Sequence, residues 1–375
     1  MKVALVHDYL TQIAGGERVL QAWSEIWPQA QIYTSVYDSQ KLGSWLGIDE
    51  SRIHTNFISN LPFSKSLRRH YTPLYPLAFL TQRIESADVI LSSSAFAAKF
   101  VHTRKDALNI AYIHTPPKFL YDLDRDKKEE SQEGLDKYLG LIYKNVTLPI
   151  KFWLRAQDRK SLRKVDYVVC NSEYIKGLVA KIYSRNGLVI YPPVDTQSFT
   201  INNTAVDRDY FLVVSRLDAY KKVDIVIKAF NKLEKKLKVV GSGPAEFYLK
   251  SLAKPNIEFL GSIPDTKLAD LYKGCLAVIF PTKEDLGIVP LEAQASGRAV
   301  IAFGQGGARE TIIEGKTGLF FDEQTPEAII KVMEKFNQDQ FSESDCRQQA
   351  EKFSEEEFKR KFRLFVEEAY FQWNK

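Results

Sequence analysis

Two carboxylates, Glu284 and Glu292, bracket a segment whose composition is typical of an anion-binding site. The segment runs from Pro281 to Glu292 and follows the apolar residues 276–280, which predict a short buried strand. After Gly287 the pattern becomes helical, with a proline in the first turn. A strand, a tight loop and a helix N-terminus present backbone N–H groups and the positive end of the helix dipole to a ligand.

In this arrangement the N–H groups would bind a phosphate while Glu284 and Glu292 accept hydrogen bonds from hydroxyl groups. That pairing favours a sugar nucleotide as the ligand. The alternative is that Glu284 is a solvated loop residue and Glu292 only complements the helix dipole.

Two further candidates lie in the first half of the chain. Gly15 and Gly16 stand between a predicted strand and a predicted helix, where glycines permit positive φ and the close approach of a ligand, although the G-x-G-x-x-G spacing of dinucleotide sites is absent. His114 follows the predicted strand 109–113, at the strand end where α/β folds place ligand contacts. The alternatives are a structural turn and an ordinary loop histidine.

The elements that position these residues are strands alternating with helices, and the pattern repeats in both halves of the chain. In the second half the predicted strands end in polar or glycine-containing loops at 215–222, 241–244, 261–264 and 304–307. Such alternation predicts an α/β protein with two doubly wound parallel-sheet domains, which bind ligands at the carboxyl ends of the strands and hence in the cleft between them. We place the domains at residues 1–190 and 191–354, with the C-terminal helix 355–375 packing back on the first domain. The polar, non-periodic stretch 196–209 predicts a linker, and Ser92, Ser93 and Ser94 after the predicted strand 89–91 are typical of a helix N-cap.

Length and composition are those of a folded, two-domain protein. The chain has 375 residues, of which 45% are hydrophobic and 26% charged. No apolar run reaches the roughly 18 residues that a membrane span requires. We expect residues 2–6 to form a first strand and not a signal peptide. Cys170, Cys275 and Cys346 lack metal-ligand spacing, which favours a reduced, cytoplasmic protein.

Positive charge is concentrated in the first half. Residues 1–190 contain 26 Lys+Arg against 19 Asp+Glu, a balance of +7, and the remainder contains 26 against 28, a balance of −2. A predicted helix at 148–164 carries six basic residues interleaved with aromatic ones, and residues 64–70 form a second basic patch. Both are compatible with peripheral association with an anionic membrane surface at its inner face. The alternative is a solvated helix face above a buried apolar stripe.

One possible metal motif, Asp-x-Asp, occurs twice between Asp122 and Asp126. It lies in a charge-rich stretch that reads as a loop over the site or as a solvated connection. We therefore expect solvated loop residues there and no metal site.

Several landmarks in the same order resemble the retaining glycosyltransferases of family 4. They are Gly15-Gly16, Arg216 with Lys221, the loop Gly241–Gly243, and Glu284 separated by seven residues from Glu292. The resemblance implies a GT-B fold, in which two Rossmann-like domains face each other across a cleft. The chain departs from the family pattern at two places, where Asp285-Leu286 replaces Gly-Phe and Lys221-Lys222 replaces Lys-Gly.

The resemblance also implies roles for individual residues. Arg216 and Lys221 would bind the pyrophosphate, with help from the backbone at Leu286, Gly287 and Ile288. Glu292 would accept hydrogen bonds from the ribose, Glu284 from the donor sugar, and the backbone near Ile263 would contact the base. Gly15 and Gly16 would let the donor approach the first domain, Gly241 and Gly243 would line the donor site, and His114 would lie near the sugar.

The sequence therefore predicts a retaining hexosyltransferase without a metal or other cofactor, because Arg216 and Lys221 supply the positive charge. The donor is a nucleotide sugar, with UDP-glucose favoured and GDP-mannose next, and the acceptor is a glycan or lipid-linked glycan in polysaccharide biosynthesis. No nucleic acid partner is expected. Two other functions stay open: a sugar-nucleotide epimerase of the same fold, and a non-catalytic sugar-nucleotide-binding protein.

Overall fold

The computed structural model of the chain describes residues 1–68, 70–84, 86–121, 123, 135–201 and 208–375, with the backbone alone for 135–147. These residues form two compact units. The first comprises Met1–Pro192 and Lys359–Lys375, and the second comprises Pro193–Phe358.

The first unit contains a seven-stranded sheet in the order β3-β2-β1-β4-β5-β6-β7. Its strands are β1 (Val3–His7), β2 (Gln31–Thr34), β3 (Ile53–Thr55), β4 (Val89–Ser94), β5 (Leu108–Ile113), β6 (Tyr167–Cys170) and β7 (Leu188–Val189). Neighbouring strands are parallel, for example with Val3 opposite Val89 and Ala4 opposite Gln31. The strand order changes direction between β1 and β4, and a parallel sheet opens a crevice for ligands at such a switch point.

The second unit contains a six-stranded sheet in the order β10-β9-β8-β11-β12-β13. Its strands are β8 (Tyr210–Val214), β9 (Lys236–Val240), β10 (Ile257–Gly261), β11 (Cys275–Phe280), β12 (Ala299–Phe303) and β13 (Gly318–Phe321). These strands are also parallel to their neighbours. Here the switch point lies between β8 and β11, so the loops that follow these two strands are adjacent.

Helices connect the strands in both units. In the first unit they are α1 (Gly15–Ile26), α2 (Ser39–Leu46), α3 (Tyr75–Thr81), α4 (Lys118–Tyr121), α5 (Leu135–Arg163) and α6 (Glu173–Tyr183). In the second they are α7 (Val223–Leu233), α8 (Glu246–Leu252), α9 (Asp265–Gly274), α10 (Ile288–Ala295), α11 (Ala308–Thr311), α12 (Pro326–Lys335) and α13 (Glu343–Glu351). The last helix, α14 (Glu355–Trp373), begins in the second unit and ends in the first.

Each unit has its own apolar core. In the second unit, α7 and α12 pack on one face of the sheet around Phe211 and Phe230, and α9 and α10 pack on the other around Tyr272. In the first unit the C-terminal helix covers α1, with the ring of Phe362 4.9 Å from that of Trp23. Burial of large aromatic rings contributes strongly to such cores.

Four local expectations were wrong. Helix α5 begins at Leu135 and contains Pro149, so it is longer than residues 148–164. Ser92, Ser93 and Ser94 belong to β4 and are not helix caps. Gly15 and Gly16 form the first turn of α1 without positive φ.

The fourth concerns the predicted linker 196–209, of which residues 202–207 lie outside the described residues. Its described part packs into the second unit, because Arg347 donates to the carbonyl oxygens of Thr196 and Phe199 and the Phe199 side chain is buried.

Candidate active site

The predicted site residues fall into two groups, one in each unit. In the second unit, the loops after β8 and β11 meet at the switch point of the sheet. The ammonium group of Lys221 forms an ion pair with a carboxylate oxygen of Glu284. The hydroxyl of Thr282 donates to the carbonyl oxygen of Lys221 across 2.9 Å. The structure thus brings together the two predicted residues Lys221 and Glu284, which are 63 positions apart in the sequence.

Both predicted cations contact the same aromatic side chain. Arg216 Nη2 lies 2.6 Å from the hydroxyl of Tyr220, to which it donates. Lys221 Nζ lies 5.1 Å from the centre of the Tyr220 ring. Arg216 is 70% exposed and lies 3.4 Å from a carboxylate oxygen of Asp218, whereas Lys221 is 13% exposed. Tyr220 was not predicted as a site residue, and its only signal in the sequence is its position between the two cations.

Lys222 occupies the position where the family usually has glycine. Its φ is +55°, in the left-handed region that glycine adopts without a steric penalty, and it is the residue before α7. The departure from the family pattern therefore places a strained lysine at the end of the site loop.

The loop after β11 ends at the N-terminus of α10. Gly287 caps this helix with φ of +88°, and Leu286 is buried. The first backbone N–H groups of an α-helix have no partner within the helix, so those at Gly287 and Ile288 point out of its end. The predicted anion site is built from these groups.

A second glycine loop, which was not predicted to take part, supports this one. The backbone N–H of Gly307 donates to the carbonyl oxygen of Glu284 across 2.9 Å, and Gly306 pairs with Glu284 as an isolated bridge. A Cβ atom at Gly307 would overlap the backbone of Leu286. The sequence signal for this contact is the cluster Gly304-Gln305-Gly306-Gly307 at the end of β12.

Glu292 lies in the second turn of α10 and is buried. The hydroxyl of Tyr272 donates to Glu292 Oε2 across 2.9 Å. Burial, followed by the charge of Glu292, raises the pKa of Tyr272 well above its ordinary value, so the phenol keeps the proton that it donates. Tyr272 on α9 therefore orients the predicted ribose-binding carboxylate, and the helical pattern of residues 265–273 alone did not reveal this.

The glycines of the loop after β9 are required by close backbone packing. Gly241 has φ of +126°, and a Cβ atom there would overlap the carbonyl oxygen of Ser215. A Cβ atom at Gly243 would press on the backbone of Leu217 at 2.6 Å. Leu217 N donates to the Ser242 carbonyl across 2.9 Å. The Gly241–Gly243 loop is thereby held against the loop that carries Arg216.

The loop after β10 joins this group. The hydroxyl oxygens of Ser242 and Ser262 are 2.8 Å apart, and Gly241 N donates to the carbonyl oxygen of Gly261 across 2.8 Å. The side chain of Ile263 packs against the core beneath. Because the strands are parallel, the predicted residues in the loops after β8, β9, β10 and β11 lie at the same edge of the sheet.

In the first unit, the carboxyl ends of β1, β4 and β5 carry a cluster of two histidines and a serine. Ser93 Oγ lies 2.9 Å from His7 Nδ1 and 2.7 Å from His114 Nε2. His7 Nε2 is 3.9 Å from a carboxylate oxygen of Glu17 on α1. A Cβ atom at Gly16 would lie 3.2 Å from His7 Cε1 and 3.4 Å from His114 Nε2, so Gly16 allows α1 to pack on the histidines. Sequence reasoning found His114 and Gly16 but missed His7 and Ser93.

His114 is a neutral imidazole over the physiological range. Burial and the neighbouring His7 lower its pKa from 6.5 to about 3. A neutral imidazole next to a hydroxyl exchanges hydrogen bonds with uncharged groups, which suits contact with sugar hydroxyls. The predicted position of His114 near a donor sugar, and the predicted role of Gly15 and Gly16 in donor approach, stay predictions.

Asp8 follows His7 and is held by backbone groups of the loop after β4. Its two carboxylate oxygens accept hydrogen bonds from the backbone N–H groups of Ala95, Phe96, Ala97 and Ala98 at 2.6–2.9 Å. These four donors offset the charge of a buried carboxylate. Asp8 therefore positions this loop beside the histidine cluster.

In the described part of the chain, no group of three or more His, Cys, Asp or Glu side chains could hold a metal ion. The Asp-x-Asp motifs at 122–126 lie outside the described residues, except for Leu123. Among the described helices, none has the length and apolar character needed to cross a bilayer. On α5, Phe152 and Trp153 are exposed while Leu154 and Leu162 are buried, so the helix has both an apolar inner stripe and an outer aromatic surface. Membrane association stays a prediction.

Comparison with known proteins agrees with this architecture. The family model described as Glycosyltransferase Family 4 matches residues 13–198, and the one described as Glycosyl transferases group 1 matches residues 194–353. The fold and the two domains define a glycosyltransferase of GT-B type. The chain belongs to the family of glycosyltransferases that combine these two domains, as the resemblance to family 4 predicted.

Sequence relatives agree with this family assignment, and a solved structure of low identity agrees with the fold. An uncharacterized glycosyltransferase of Methanocaldococcus jannaschii is 27% identical over 349 residues, covering 91% of this chain and 90% of that protein. The GDP-mannose-dependent alpha-(1-6)-phosphatidylinositol monomannoside mannosyltransferase of Mycolicibacterium smegmatis is 29% identical over 208 residues, covering 46% of this chain and 54% of that protein. The chain thus spans about half the length of this mannosyltransferase. The HepE protein of Anabaena, solved with UDP and glucose, has a TM-score of 0.70 at 16% identity, covering 98% of this chain and 99% of that chain.

Proposed function

We propose that this chain is a retaining, metal-independent glycosyltransferase that transfers a hexose from a nucleotide sugar to a glycan or lipid-linked glycan. The observation that carries the proposal is the ion pair between Lys221 and Glu284 at the switch point of the second sheet. It brings an ammonium group and a carboxylate next to the N-terminus of α10, and a carboxylate there would accept hydrogen bonds from hydroxyl groups. A nucleotide sugar offers both a diphosphate and hydroxyl groups, so its chemistry matches this combination.

In the proposed complex, the diphosphate accepts hydrogen bonds from Lys221, Arg216 and the first N–H groups of α10. Charge-assisted bonds of this kind are the strongest available to a phosphate. Glu292, oriented by Tyr272, accepts from the ribose hydroxyls, and Glu284 accepts from hydroxyls of the donor sugar. The backbone near Ile263 contacts the base.

The reaction exchanges two bonds at the anomeric carbon. The bond to the phosphate oxygen breaks and the bond to the acceptor oxygen forms on the same face of the sugar. The acceptor proton passes to the oxygen of the departing nucleoside diphosphate. Arg216 and Lys221 stabilise the charge that develops on this leaving group, so the proposal requires neither a protein nucleophile nor a divalent cation.

The comparisons change the order in which donors should be tested. A sequence relative at 29% identity is GDP-mannose-dependent, whereas HepE, solved with UDP and glucose, is similar in fold alone. We therefore propose GDP-mannose first and UDP-glucose second, which reverses the order favoured from the sequence.

The first test is thermal unfolding of the full chain with GDP and with UDP. A ligand that binds only the native state raises the midpoint, so the preferred nucleotide gives the larger shift. Neither nucleotide raising the midpoint would contradict the proposed donor site.

The second test incubates the preferred nucleotide sugar with and without a panel of acceptors, in chelator. Transfer that requires an acceptor and survives chelation supports the proposal. Conversion of the donor to another sugar nucleotide without an acceptor would show an epimerase, and binding without turnover would show a sugar-nucleotide-binding protein. Loss of transfer in chelator would show that a metal takes part.

A further inference from the structure

A cavity of about 410 Å³ lies at the amino ends of β5 and β6 in the first unit. Its wall comes mainly from residues 99–109, which lead into β5, and from residues 157–166, which lead into β6. His114 follows the opposite end of β5, a strand of six residues, so about 17–20 Å separate it from the cavity. The cavity is therefore distinct from the histidine cluster, and its size is that of a small-molecule site.

The wall of this cavity carries an excess of positive charge. Lys99 pairs with the carboxylate of Asp158 across 2.8 Å. Arg104 pairs with Asp106, so both of these cations are compensated. Three further ammonium groups are exposed and form no ion pair in the described part of the chain, namely those of Lys105, Lys160 and Lys164. The described wall contains one carboxylate, that of Asp166, which already accepts a backbone N–H across 2.8 Å.

Asn109 adds an unsatisfied hydrogen-bonding group to the cavity. It lies at the second position of β5, is 3% exposed and lines the cavity. Its Oδ1 atom has no hydrogen-bond partner among the described residues. Buried polar side chains are almost always hydrogen-bonded, so an unpartnered one in the wall of a cavity indicates a binding position. The amide can present either its oxygen or its nitrogen to a ligand.

Two large apolar side chains complete the wall. Trp373, in the last turn of α14, is 38% exposed, and Leu80, in α3, is 40% exposed. Both line this cavity. A partly exposed indole ring presents a flat surface that the ring of a ligand can contact. The cavity thus combines separate features for an anion, for a hydrogen-bonding group and for a ring.

We propose that this cavity binds a small phosphate monoester whose ring carries hydroxyl groups, outside the candidate active site. The ammonium groups of Lys105, Lys160 and Lys164 bind the phosphate through charge-assisted hydrogen bonds. The Asn109 amide forms a hydrogen bond with a hydroxyl group, and Trp373 contacts the face of the ring. A sugar phosphate and a nucleoside monophosphate share this chemistry.

Lys99 connects the cavity to the opposite end of the sheet. Its side chain lines the cavity, and its ammonium group donates to the carbonyl oxygen of Phe96 across 2.6 Å. Phe96 belongs to the loop 95–98, whose backbone N–H groups hold a buried carboxylate beside the histidine cluster. Asp158, the partner of Lys99, also accepts from the hydroxyl of Tyr121 on α4 across 2.8 Å. We therefore expect a ligand in the cavity to stabilise the loop 95–98, as an effector would.

The first experiment measures binding to the full-length chain by calorimetry. The probes are glucose 6-phosphate and adenosine monophosphate, with inorganic phosphate and glucose as separate probes of charge and ring. We expect one of the two organic phosphates to bind at least about tenfold more tightly than inorganic phosphate and than glucose. The tighter of the two identifies the source of the phosphate. Absence of binding by both, or equal affinity for inorganic phosphate, would overturn the proposal.

A double variant tests the location of the phosphate. Lys160→Gln with Lys164→Gln should weaken the organic phosphate at least about tenfold. The matched control is Arg163→Gln with Lys181→Gln, which removes the same charge from exposed positions of the same unit that do not line the cavity.

Two outcomes of this comparison would overturn the proposal. One is equal weakening by the test and control variants, which would show general electrostatic attraction or binding elsewhere, including adenosine monophosphate in the proposed donor site. The other is lysine-dependent binding of phosphatidylglycerol vesicles without binding of either organic phosphate, which would assign these lysines to a membrane surface.

Asn109→Leu separates a binding role from a structural one. It replaces an unpartnered buried amide by an apolar side chain of similar size, so the urea midpoint should stay unchanged or rise. Affinity for the organic phosphate should nevertheless fall at least about fivefold. A lower urea midpoint with unchanged affinity would show that Asn109 serves the fold, and would overturn its assignment.

Trp373→Ala tests the contact with the ring. It should weaken the organic phosphate at least about fivefold and leave the affinity for inorganic phosphate unchanged. Phe371→Ala is the matched control, because Phe371 is exposed on the same helix and does not line the cavity. Equal effects of the two variants would contradict a ring contact at Trp373.

Hydrogen exchange tests the connection through Lys99 without any need for transfer activity. Saturation with the organic phosphate should slow exchange of the backbone N–H groups of the loop 95–98, which exchange when this region opens locally. The Lys160→Gln with Lys164→Gln variant should show no slowing at the same ligand concentration. Unchanged exchange in the saturated wild-type chain would overturn the effector role. None of these measurements depends on the proposed transferase function.

Discussion

The switch points of the two sheets differ in the charge of the side chains that lie there. In the second unit, an ammonium group and a carboxylate face each other as Lys221 and Glu284, next to a helix N-terminus. In the first unit the polar groups are uncharged or internally offset: His114 is neutral and Asp8 is held by four backbone N–H groups. The same sheet geometry thus carries a charged cluster in one unit and a nearly neutral cluster in the other, and these match the proposed binding of a diphosphate and of sugar hydroxyls.

The largest expected effect tests the charged site. Lys221→Ala and Arg216→Ala should each lower the rate of transfer by about 10²–10³-fold, because a fixed cation stabilises the leaving diphosphate. Initial rates with the nucleotide sugar selected by the thermal-unfolding test measure this. Lys222→Ala is the matched control and should stay within about threefold of the wild type, since no loss of a transition-state contact is involved. Near-normal rates in both test variants would contradict the proposal that the charged residues of the second unit stabilise the leaving diphosphate.

Replacing Asp8, whose charge is offset by backbone N–H groups, should lower the free energy of unfolding of the first unit. Asp8→Asn replaces one accepting oxygen by an amide group and leaves backbone N–H groups of residues 95–98 without a charged acceptor. We expect the free energy of unfolding to fall by about 2–4 kcal/mol. All five tryptophans lie in the first unit, so urea unfolding followed by tryptophan fluorescence reports this unit.

The control for Asp8→Asn is Asp88→Asn. Asp88 accepts from the backbone N–H of Lys2 across 2.7 Å but is exposed, so its replacement should cost less than about 1 kcal/mol. Equal losses in the two variants would mean that Asp8 has no special structural role.

Tyr272→Phe tests whether Glu292 needs to be oriented. It removes the hydrogen bond to Oε2 while keeping the ring, and we expect a loss of about 1–2 kcal/mol in nucleotide affinity or stability. The informative readout compares a nucleotide with its 2′,3′-dideoxy form. Wild-type protein should discriminate between them, and the variant should discriminate less. Unchanged discrimination between the two nucleotides would show that Tyr272 has no role in ribose recognition.

The neutrality of His114 predicts a pH dependence. Its folded-state pKa of about 3 lies below the ordinary 6.5, so the unfolded chain takes up a proton first as the pH falls. Stability contributed by this group is therefore complete above pH 6.5 and decreases toward pH 3, by about 1.4 kcal/mol per pH unit at most. Wild-type protein should lose stability more steeply than His114→Gln between pH 6.5 and 5, as measured by tryptophan fluorescence. Parallel curves would contradict a neutral His114 imidazole in the folded state.

The smallest effect concerns the strained residue of the charged site. Lys222→Gly should raise the free energy of unfolding by about 0.5–1 kcal/mol, because glycine adopts positive φ without a steric penalty. Urea unfolding followed by circular dichroism measures this, with Lys222→Ala as the control that keeps a Cβ atom. If alanine stabilises as much as glycine, the effect comes from charge and not from the backbone.

Much of the fold was accessible from the sequence because its signals are local. Apolar runs such as 276–280 and 300–303 end in glycine or proline, so strands and their following loops could be located from neighbouring residues. The anion-binding character of the loop before α10 was predicted for the same reason. The prediction that the serines of β4 cap a helix was wrong. A run of Ser suits a helix cap as well as a strand, and only the pairing of β4 with its neighbour decides between the two.

Contacts between residues that are distant in the sequence could not be predicted from local patterns. Nothing near Glu292 in the sequence indicates that Tyr272, 20 positions earlier, donates to it, and nothing near His114 indicates Ser93 or His7. The support of the Glu284 loop by Gly306 and Gly307 likewise depends on the order of strands in the sheet.

The sequence by itself determined the class of protein, the two-sheet organisation and the types of residue that can bind a diphosphate and hydroxyl groups. Tertiary structure alone decided which of these charges meet. It joined Lys221 to Glu284, enclosed Asp8 in four N–H groups and lowered the pKa of His114. The physical reason is that residue type sets what a side chain can donate or accept, whereas strand order and burial set its neighbours and hence its charge.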